Sequence, residues 1–505
     1  MRIVKTIKNL ILSWLGYFAV ILATFIGRKV FVDMLGSMYL GVQALFTNIL
    51  SCLNLADLGL SVAITYSLYK PLAENDTEKI SAILSLFHKV YLIVGVTVGV
   101  IGLGLTPFLH FFINEMPKGL AYSKIQVYFV LFVLNNSLNY FMYYKAVLIN
   151  ADQKKYIVEL NYSINMIAMT VIQILILICF KSFLLYLIIQ LIFTGVRNMS
   201  ISLIANRQYP YLKDKTSYSL SKQDKKELTM GVAGMMFQKL GTVVVNSTDN
   251  IIISKFISII IVGIYSNYYS IISAINMVLN QVFKSALASV GNFNVTAKKE
   301  ELADVFDKSL FVNFWIHGFC SIALTCLLNP FIHIWLGKDY LLEMKVVIIL
   351  GFNFYLNGMR QTSLMFNDAL GLYWKNRYKP IFEALVNLAM SLILVRFWGI
   401  QGVFLGTTCS IIFVCMWAEP YIIFKYVLKR NLAVYFRKYL VYFATSILIG
   451  FITYLLCNSI YMDGFLAFIC KCSVCVVLPN ILFLLIFRKT SEFKYFYNFL
   501  TTLKK

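Results

Sequence analysis

Apolar and polar positions alternate along this chain in long blocks. Fourteen apolar runs can be read, at about 10–32, 39–66, 86–113, 122–149, 156–179, 183–205, 229–253, 258–291, 308–334, 341–370, 376–397, 400–428, 438–458 and 465–487. Each reaches the roughly 20 residues that a helix needs to cross the hydrocarbon of a bilayer. The pattern predicts an all-α polytopic membrane protein with about 14 transmembrane helices. The longest polar connection, about 206–228, carries Lys213, Lys215, Lys222, Lys225 and Lys226 and separates the first six runs from the next six. The expected organisation is a six-helix lobe over 1–205, a basic linker over 206–228 that touches anionic lipid headgroups, and a second six-helix lobe over 229–428. Two further helices and a basic tail fill 429–505. The halves echo each other: Leu35–Val42 lies 222 residues before Ile257–Ile264, and Gly41 matches Gly263. Six spans per half give both halves the same orientation, so their pseudo-twofold axis runs along the membrane normal.

Several runs carry a polar stripe. On a wheel of 100° per residue, Gln238, Lys239, Thr242, Asn246, Asp249 and Asn250 fall in one sector of roughly 120°. Ser13, Tyr17, Thr24 and Arg28 share a face in the first span. Gln190, Thr194 and Arg197 do so in the sixth, and Asn353, Asn357, Arg360 and Asn367 in the tenth. A charge at the bilayer centre costs about 2.5–3.5 kcal/mol even on the lenient scale. Each stripe therefore faces other helices or a wet cavity. Arg28, Arg197, Lys239 and Arg360 outnumber the intramembrane acids, of which Asp249 is the clearest, with Asp57 and Glu383 nearer span ends. A cavity lined by these four cations would hold a multiply anionic group such as a diphosphate, because Arg grips phosphate oxygens through paired hydrogen bonds. The alternative is that each cation pairs with an acid or a carbonyl and only joins helices.

Composition supports the membrane reading. Of 505 residues, 60% are hydrophobic and 13% charged, about half the charged share of a soluble domain. The net charge of +22 is read as cytoplasmic loops rich in Lys and Arg, not as a nucleic-acid footprint. About 32 of the 45 Lys and Arg fall in the termini and the loops on their side, which places both termini in the cytoplasm. The opposite loops are short and leave no room for an external catalytic domain. There is no Walker loop, so ATP hydrolysis by this chain is not expected. The cysteines at 470, 472 and 475 lie in an apolar run without a nearby His, and no metal site and no disulfide is expected from them. His317 reads as a hydrogen-bonded core histidine, with proton relay as the alternative. Tyr265, Tyr268 and Tyr269 are candidate sugar contacts or belong to an interfacial aromatic belt. Gly95-Val-Thr-Val-Gly99 and Gly402-Val-Phe-Leu-Gly406 have the spacing for close helix approach.

Specific runs carry a family resemblance. Arg28-Lys-Val-Phe-Val-Asp-Met-Leu-Gly36, Tyr39-Leu-Gly-Val42, Leu55-Ala-Asp-Leu-Gly59 and Tyr69-Lys-Pro-Leu72 resemble bacterial polysaccharide flippases of the Wzx type. So do Thr248-Asp-Asn-Ile-Ile-Ile-Ser254 and Val262-Gly-Ile-Tyr-Ser-Asn-Tyr268. These flippases belong to the multidrug/oligosaccharidyl-lipid/polysaccharide exporter superfamily. The resemblance covers essentially the whole chain. It implies two six-helix lobes around a cavity that opens alternately to each side of the bacterial cytoplasmic membrane. The implied substrate is an oligosaccharide repeat unit on undecaprenyl diphosphate, destined for O-antigen or capsule, with a polymerase and glycosyltransferases as partners. It further implies transport without an enzymatic step or cofactor, coupled to H+ or Na+. By analogy Arg28, Arg197, Lys239 and Arg360 are the cavity cations and Asp249 is the ion-coupling residue. The last two spans resemble the extra pair of the peptidoglycan-precursor branch. The rival readings are an ion-coupled drug exporter of the same superfamily, which is expected to carry an acidic interior, and a membrane polymerase or ligase, which needs a large external loop.

Overall fold

The structure is a computed structural model. It describes residues 2–53, 60–113, 121–141, 143–213, 247–296, 298–372, 375–460 and 464–502. These are almost entirely helical, and no strand occurs among them. In chain order the helices are α1 (Arg2–Leu53), α2 (Leu60–Glu74), α3 (Thr77–Leu105), α4 (Tyr122–Phe141), α5 (Tyr143–Ala151), α6 (Lys155–Phe180) and α7 (Phe183–Gln208). After α8 (247–256) come α9 (Ile259–Thr296), α10 (Lys299–Leu336), α11 (Met344–Met359), α12 (Gln361–Ala369) and α13 (Lys379–Ser410). The last four are α14 (Met416–Ile423), α15 (Leu432–Asn458), α16 (Gly464–Phe487) and α17 (Ser491–Thr502). Eight helical segments among the described residues are long and apolar enough to cross a membrane. The protein is a multi-pass membrane protein.

Apart from the run 229–253, most of which lies outside the described residues, the predicted spans map onto these helices, with their boundaries set by backbone chemistry. Two pairs of spans are fused into one helix with a kink, at Gly36 (φ 82°) in α1 and at Gly399 (φ 55°) in α13. Both kinks need a positive φ that glycine reaches at little steric cost. Other spans are broken. The run 341–370 is split at Arg360 into α11 and α12, and two π-helical segments, Ile411–Cys415 and Phe424–Leu428, flank α14. Polar caps close some ends: the Asp76 carboxylate accepts from the Lys79 N–H at 2.9 Å, and the Asn431 side chain accepts from the Ala433 N–H at 2.9 Å.

The chain divides into two compact units, 1–263 and 264–505. The predicted linker over 206–228 lies mostly outside the described residues. In the first unit α1 packs on α6 through small residues: a Cβ on Gly27 would lie 2.8 Å from the Thr170 methyl. Phe46 of α1 meets Phe129 of α4 edge-on, with centroids 4.9 Å apart. Gly95, Gly99 and Gly102 of α3 lie against Phe141, Ser137 and Val133 of α4. The echoed glycines touch each other. A Cβ on Gly41 would lie 1.9 Å from the Ile259 carbonyl oxygen, and one on Gly263 would lie 2.0 Å from that of Ser37. Only glycine permits this backbone approach.

The second unit is built around α10. Phe306, Phe311 and Phe314 are almost fully buried on it. Phe314 stacks on Tyr442 of α15 at 4.4 Å and meets Phe483 of α16 at 5.0 Å. The two spans that follow the six-helix lobe therefore dock on α10 through an aromatic seam. Gly402 and Gly406 bring the second part of α13 onto its first part, because a Cβ on Gly402 would lie 2.1 Å from the Leu394 carbonyl oxygen.

Candidate functional site

The sequence-predicted residues separate between the two units. In the first, Arg197 extends from α7 toward α4 and α6. Its guanidinium donates to the Asn139 amide oxygen and lies over the Tyr162 ring, 5.8 Å from the centroid. The Arg197 carbonyl accepts from the Asn161 amide at 3.1 Å and from the Ser200 hydroxyl at 2.9 Å. Its side-chain partners among the described residues are thus neutral. Arg28, on α1, interacts electrostatically with Tyr186 of α7, whose hydroxyl also bonds Gln43. Around Tyr186 sit Phe31 and Phe183, with Tyr39 and Tyr128 beyond them. Asp249 lies half-buried on α8. Lys239 falls outside the described residues, as do Gln238, Thr242 and Asn246 of its stripe.

Lys145 was not singled out by the sequence pattern. It reaches from α5 to α7 and donates to Ser202 at 2.7 Å and to Asn206 at 3.0 Å. Its signal was a cation near the end of the run 122–149, beside Tyr143 and Tyr144.

The second unit corrects the expectation for Arg360. There are acids to pair it. Arg360 sits at the joint of α11 and α12. It meets Glu419 of α14 through Nη2 at 2.7 Å and through Nε at 3.2 Å to both oxygens. It meets Glu383 of α13 through Nη1 at 3.0 Å, and the Asn357 amide oxygen at 3.1 Å. Lys379, at the start of α13, binds Glu383 at 2.8 Å and Glu419 at 2.7 Å. The Glu419 side chain is wholly buried and the other three are 10–12% exposed. Two cations and two carboxylates make a buried, charge-neutral cluster, so Arg360 is not an uncompensated cavity cation. The sequence reading placed Glu383 near a span end and passed over Glu419. Its signal was a single acid inside the run 400–428. Lys379 also lines a crevice of about 550 Å³ with Lys375, Tyr378, Phe382, Trp417 and Tyr421.

Of the same stripe, Asn353 faces α13, whereas Asn357 is exposed. Asn353 donates to the Phe404 carbonyl at 2.8 Å and accepts from Thr408 at 2.7 Å. His317 is a core histidine: it is buried, its Nδ1 lies 3.1 Å from the Asn313 carbonyl, and its ring packs against Phe283 and Phe354.

The tyrosine trio also divides. Tyr268 is fully buried. Its hydroxyl donates to the Asn329 amide oxygen at 2.5 Å and accepts from the Leu342 N–H at 2.9 Å. No face or hydroxyl is left for a sugar, which corrects the candidate contact at this position. Tyr265 is buried against Phe404, with centroids 4.6 Å apart. Tyr269 alone of the three is exposed, at 48%.

The comparisons agree with this architecture. A family model described as "Polysaccharide biosynthesis protein" matches residues 6–288. No curated protein shows significant sequence similarity to the chain. Among solved structures, the lipid II flippase MurJ in an inward closed conformation superposes with a TM-score of 0.71 at 15% identity, over 95% of this chain and 99% of that one. An inward-facing multidrug resistance MATE family transporter of the MOP superfamily gives 0.65 at 15% identity, over 80% and 94%. A point mutant of the Vibrio cholerae MATE transporter VcmN gives 0.57 at 17% identity, over 84% and 97%. At these identities the likeness is one of fold.

Proposed function

The chain belongs to the polysaccharide biosynthesis protein family, and from that premise we propose that it is a flippase for lipid-linked oligosaccharides. Its substrate in this reading is an oligosaccharide repeat unit on undecaprenyl diphosphate, carried from the cytoplasmic to the outer leaflet of the bacterial inner membrane. Both termini are cytoplasmic, and the chain transports without catalysing a bond change. The observation that carries the reading is Arg197, held on a membrane helix by an amide oxygen and an aromatic face rather than by a carboxylate. A guanidinium so placed keeps its charge for an incoming diphosphate, whose oxygens it grips in pairs. Arg28 and Lys239 are assigned to the same anion, and Asp249 to coupling with H+ or Na+. Arg360 is left out of the phosphate site because Glu383 and Glu419 offset its charge. Tyr269 is the remaining candidate for stacking on a sugar. The prenyl tail stays in lipid while the headgroup crosses by alternating access.

Sidedness of the lipid-linked oligosaccharide after depletion of the protein tests this. Intact and lysed cells are treated with a membrane-impermeant glycosidase. Repeat units that accumulate and are cleaved only after lysis support the flippase. Units that accumulate already exposed outside refute it and favour a polymerase or ligase step. No accumulation points to drug export or to a second, redundant flippase.

A further inference from the structure

Three thiols from three helices of the second unit converge in its interior. Cys326 comes from α10, Cys457 from the last turn of α15 and Cys475 from α16. All three are buried, and their sulfurs lie within 4.8 Å of one another. The Cys457 and Cys475 sulfurs are 3.6 Å apart. The sequence cluster at 470, 472 and 475 contributes only its last member, while Cys470 and Cys472 are half-buried and stay outside the triplet. A cysteine in a core usually acts as a small hydrophobe. Three that meet from distant parts of the chain form a ligand set.

We propose that Cys326, Cys457 and Cys475 bind one monovalent thiophilic d10 cation, copper(I), in trigonal three-sulfur coordination. A metal–thiolate bond of about 2.3 Å puts the corners of a trigonal site about 4.0 Å apart. The Cys457 and Cys475 sulfurs, 3.6 Å apart, lie within about 0.4 Å of that spacing, and all three sulfurs lie within 4.8 Å of one another. Thiolates select copper(I) or zinc, but a structural zinc site takes four ligands. No fourth Cys, His or carboxylate joins the group among the described residues. Lys471 interacts electrostatically with Cys326 and Cys457, so it offsets negative charge left on the sulfurs.

A cavity lies one helical turn from Cys326 and Cys475. It has a volume of about 230 Å³ and is lined by Asn329, His333, Leu341, Ala467, Phe468 and Lys471. Asn329 lies one turn beyond Cys326 on α10, and Lys471 one turn before Cys475 on α16. On binding, two thiols lose their protons to this cavity, copper–sulfur bonds form, and the third sulfur coordinates as the thiol. The metal does not change oxidation state. The bound ion ties α15 and α16 to α10, in addition to their aromatic seam.

The test uses the full chain, purified in detergent under reducing, oxygen-free conditions. Copper(I) is titrated against a chromophoric chelator, and retained metal is counted after gel filtration. One copper per chain is expected, with X-ray absorption showing three sulfurs at about 2.3 Å. Cys326→Ser, Cys457→Ser and Cys475→Ser should each weaken binding at least tenfold, while the Cys470→Ser/Cys472→Ser double variant binds like the parent. The absorption spectrum of the parent decides the matter even where a serine variant fails to fold. Absence of retained copper, retention of one zinc(II) in preference, or a spectrum without three sulfurs overturns the proposal. So does a Cys457–Cys475 disulfide in protein alkylated inside intact cells, which would make these thiols a covalent link instead.

Discussion

Replacing Arg360 with Met tests the buried charge cluster. The change keeps an unbranched apolar stem but removes every hydrogen bond the guanidinium makes to Glu419, Glu383 and Asn357. Two carboxylates then face Lys379 alone, and one of them is wholly buried. Breaking a buried pair by deleting one partner costs about 3–5 kcal/mol, because the charge left behind has no compensation. Glu419→Leu leaves two cations against one carboxylate and should cost a similar amount. Replacing a whole buried pair with apolar side chains is often neutral. The double variant Arg360→Met/Glu419→Leu keeps the Lys379–Glu383 pair and should therefore be more stable than either single variant. The coupling must then exceed the cost of a single variant, at least about 3 kcal/mol. Unfolding in mixed micelles by SDS titration, followed by tryptophan fluorescence, gives the free energies; Trp417 lies two residues from Glu419. Additive losses in the double variant, or single variants within about 0.5 kcal/mol of the parent, would refute the neutral-cluster reasoning.

Arg197→Ala should cut oligosaccharide export at least tenfold while expression holds. Arg197→Lys should restore only part of it, since an ammonium lacks the planar fork; full export in both removes Arg197 from the phosphate site. Tyr268→Phe leaves the Leu342 N–H without its acceptor and Asn329 without its donor. That should cost about 1–3 kcal/mol of stability with export per folded molecule unchanged, whereas a specific export defect would reinstate Tyr268 as a sugar contact. Glu492, on the terminal helix α17, supplies a pH dependence. Burial pushes its carboxyl up, but hydrogen bonds from Lys438, its own backbone N–H and the Ser491 hydroxyl, with the Lys438 charge, outweigh this and hold it below its ordinary value of 4.5. A carboxyl depressed on folding contributes stability above its unfolded value and loses it as pH falls through the folded one. Amide protection over 491–502, taken relative to the intrinsic exchange rate at each pH, should therefore fall below about pH 4.5, and Glu492→Gln should remove that response.

The apolar runs made the helices legible, because lipid leaves the backbone no other partner. Even the kinks at Gly36 and Gly399 fall in the short gaps between predicted runs. The helical period also grouped Gln190, Thr194 and Arg197 on one face. It did not show what that face meets. Asn139 is 58 residues from Arg197, and Glu419 is 59 residues from Arg360. A wheel orders residues within one span but carries no information on which span lies opposite. Counting acids failed for a related reason. Glu383 was counted as a span-end residue and Glu419 was missed, yet two acids from different helices are enough to offset Arg360. Tyr268 shows the same limit. Its spacing from Tyr265 and Tyr269 fits a recognition cluster, but its hydroxyl belongs to the α10–α11 connection through Asn329 and Leu342.

The proposed phosphate site rests on the contrast between Arg197 and Arg360. An anion can approach Arg197 without displacing another anion, since its described partners are an amide and a ring. At Arg360 the same anion would have to break bonds to two carboxylates in a site with little access to water. The cost of exposing a buried carboxylate is several kcal/mol, more than one phosphate contact returns. The two arginines should therefore fail differently. Arg360 variants should lose folded protein in proportion to the charge imbalance they create, whereas Arg197 variants should lose export while the fold persists. Export lost in Arg360→Met at parental stability, or misfolding in Arg197→Ala, would reverse the assignment and move the anion site to the second unit.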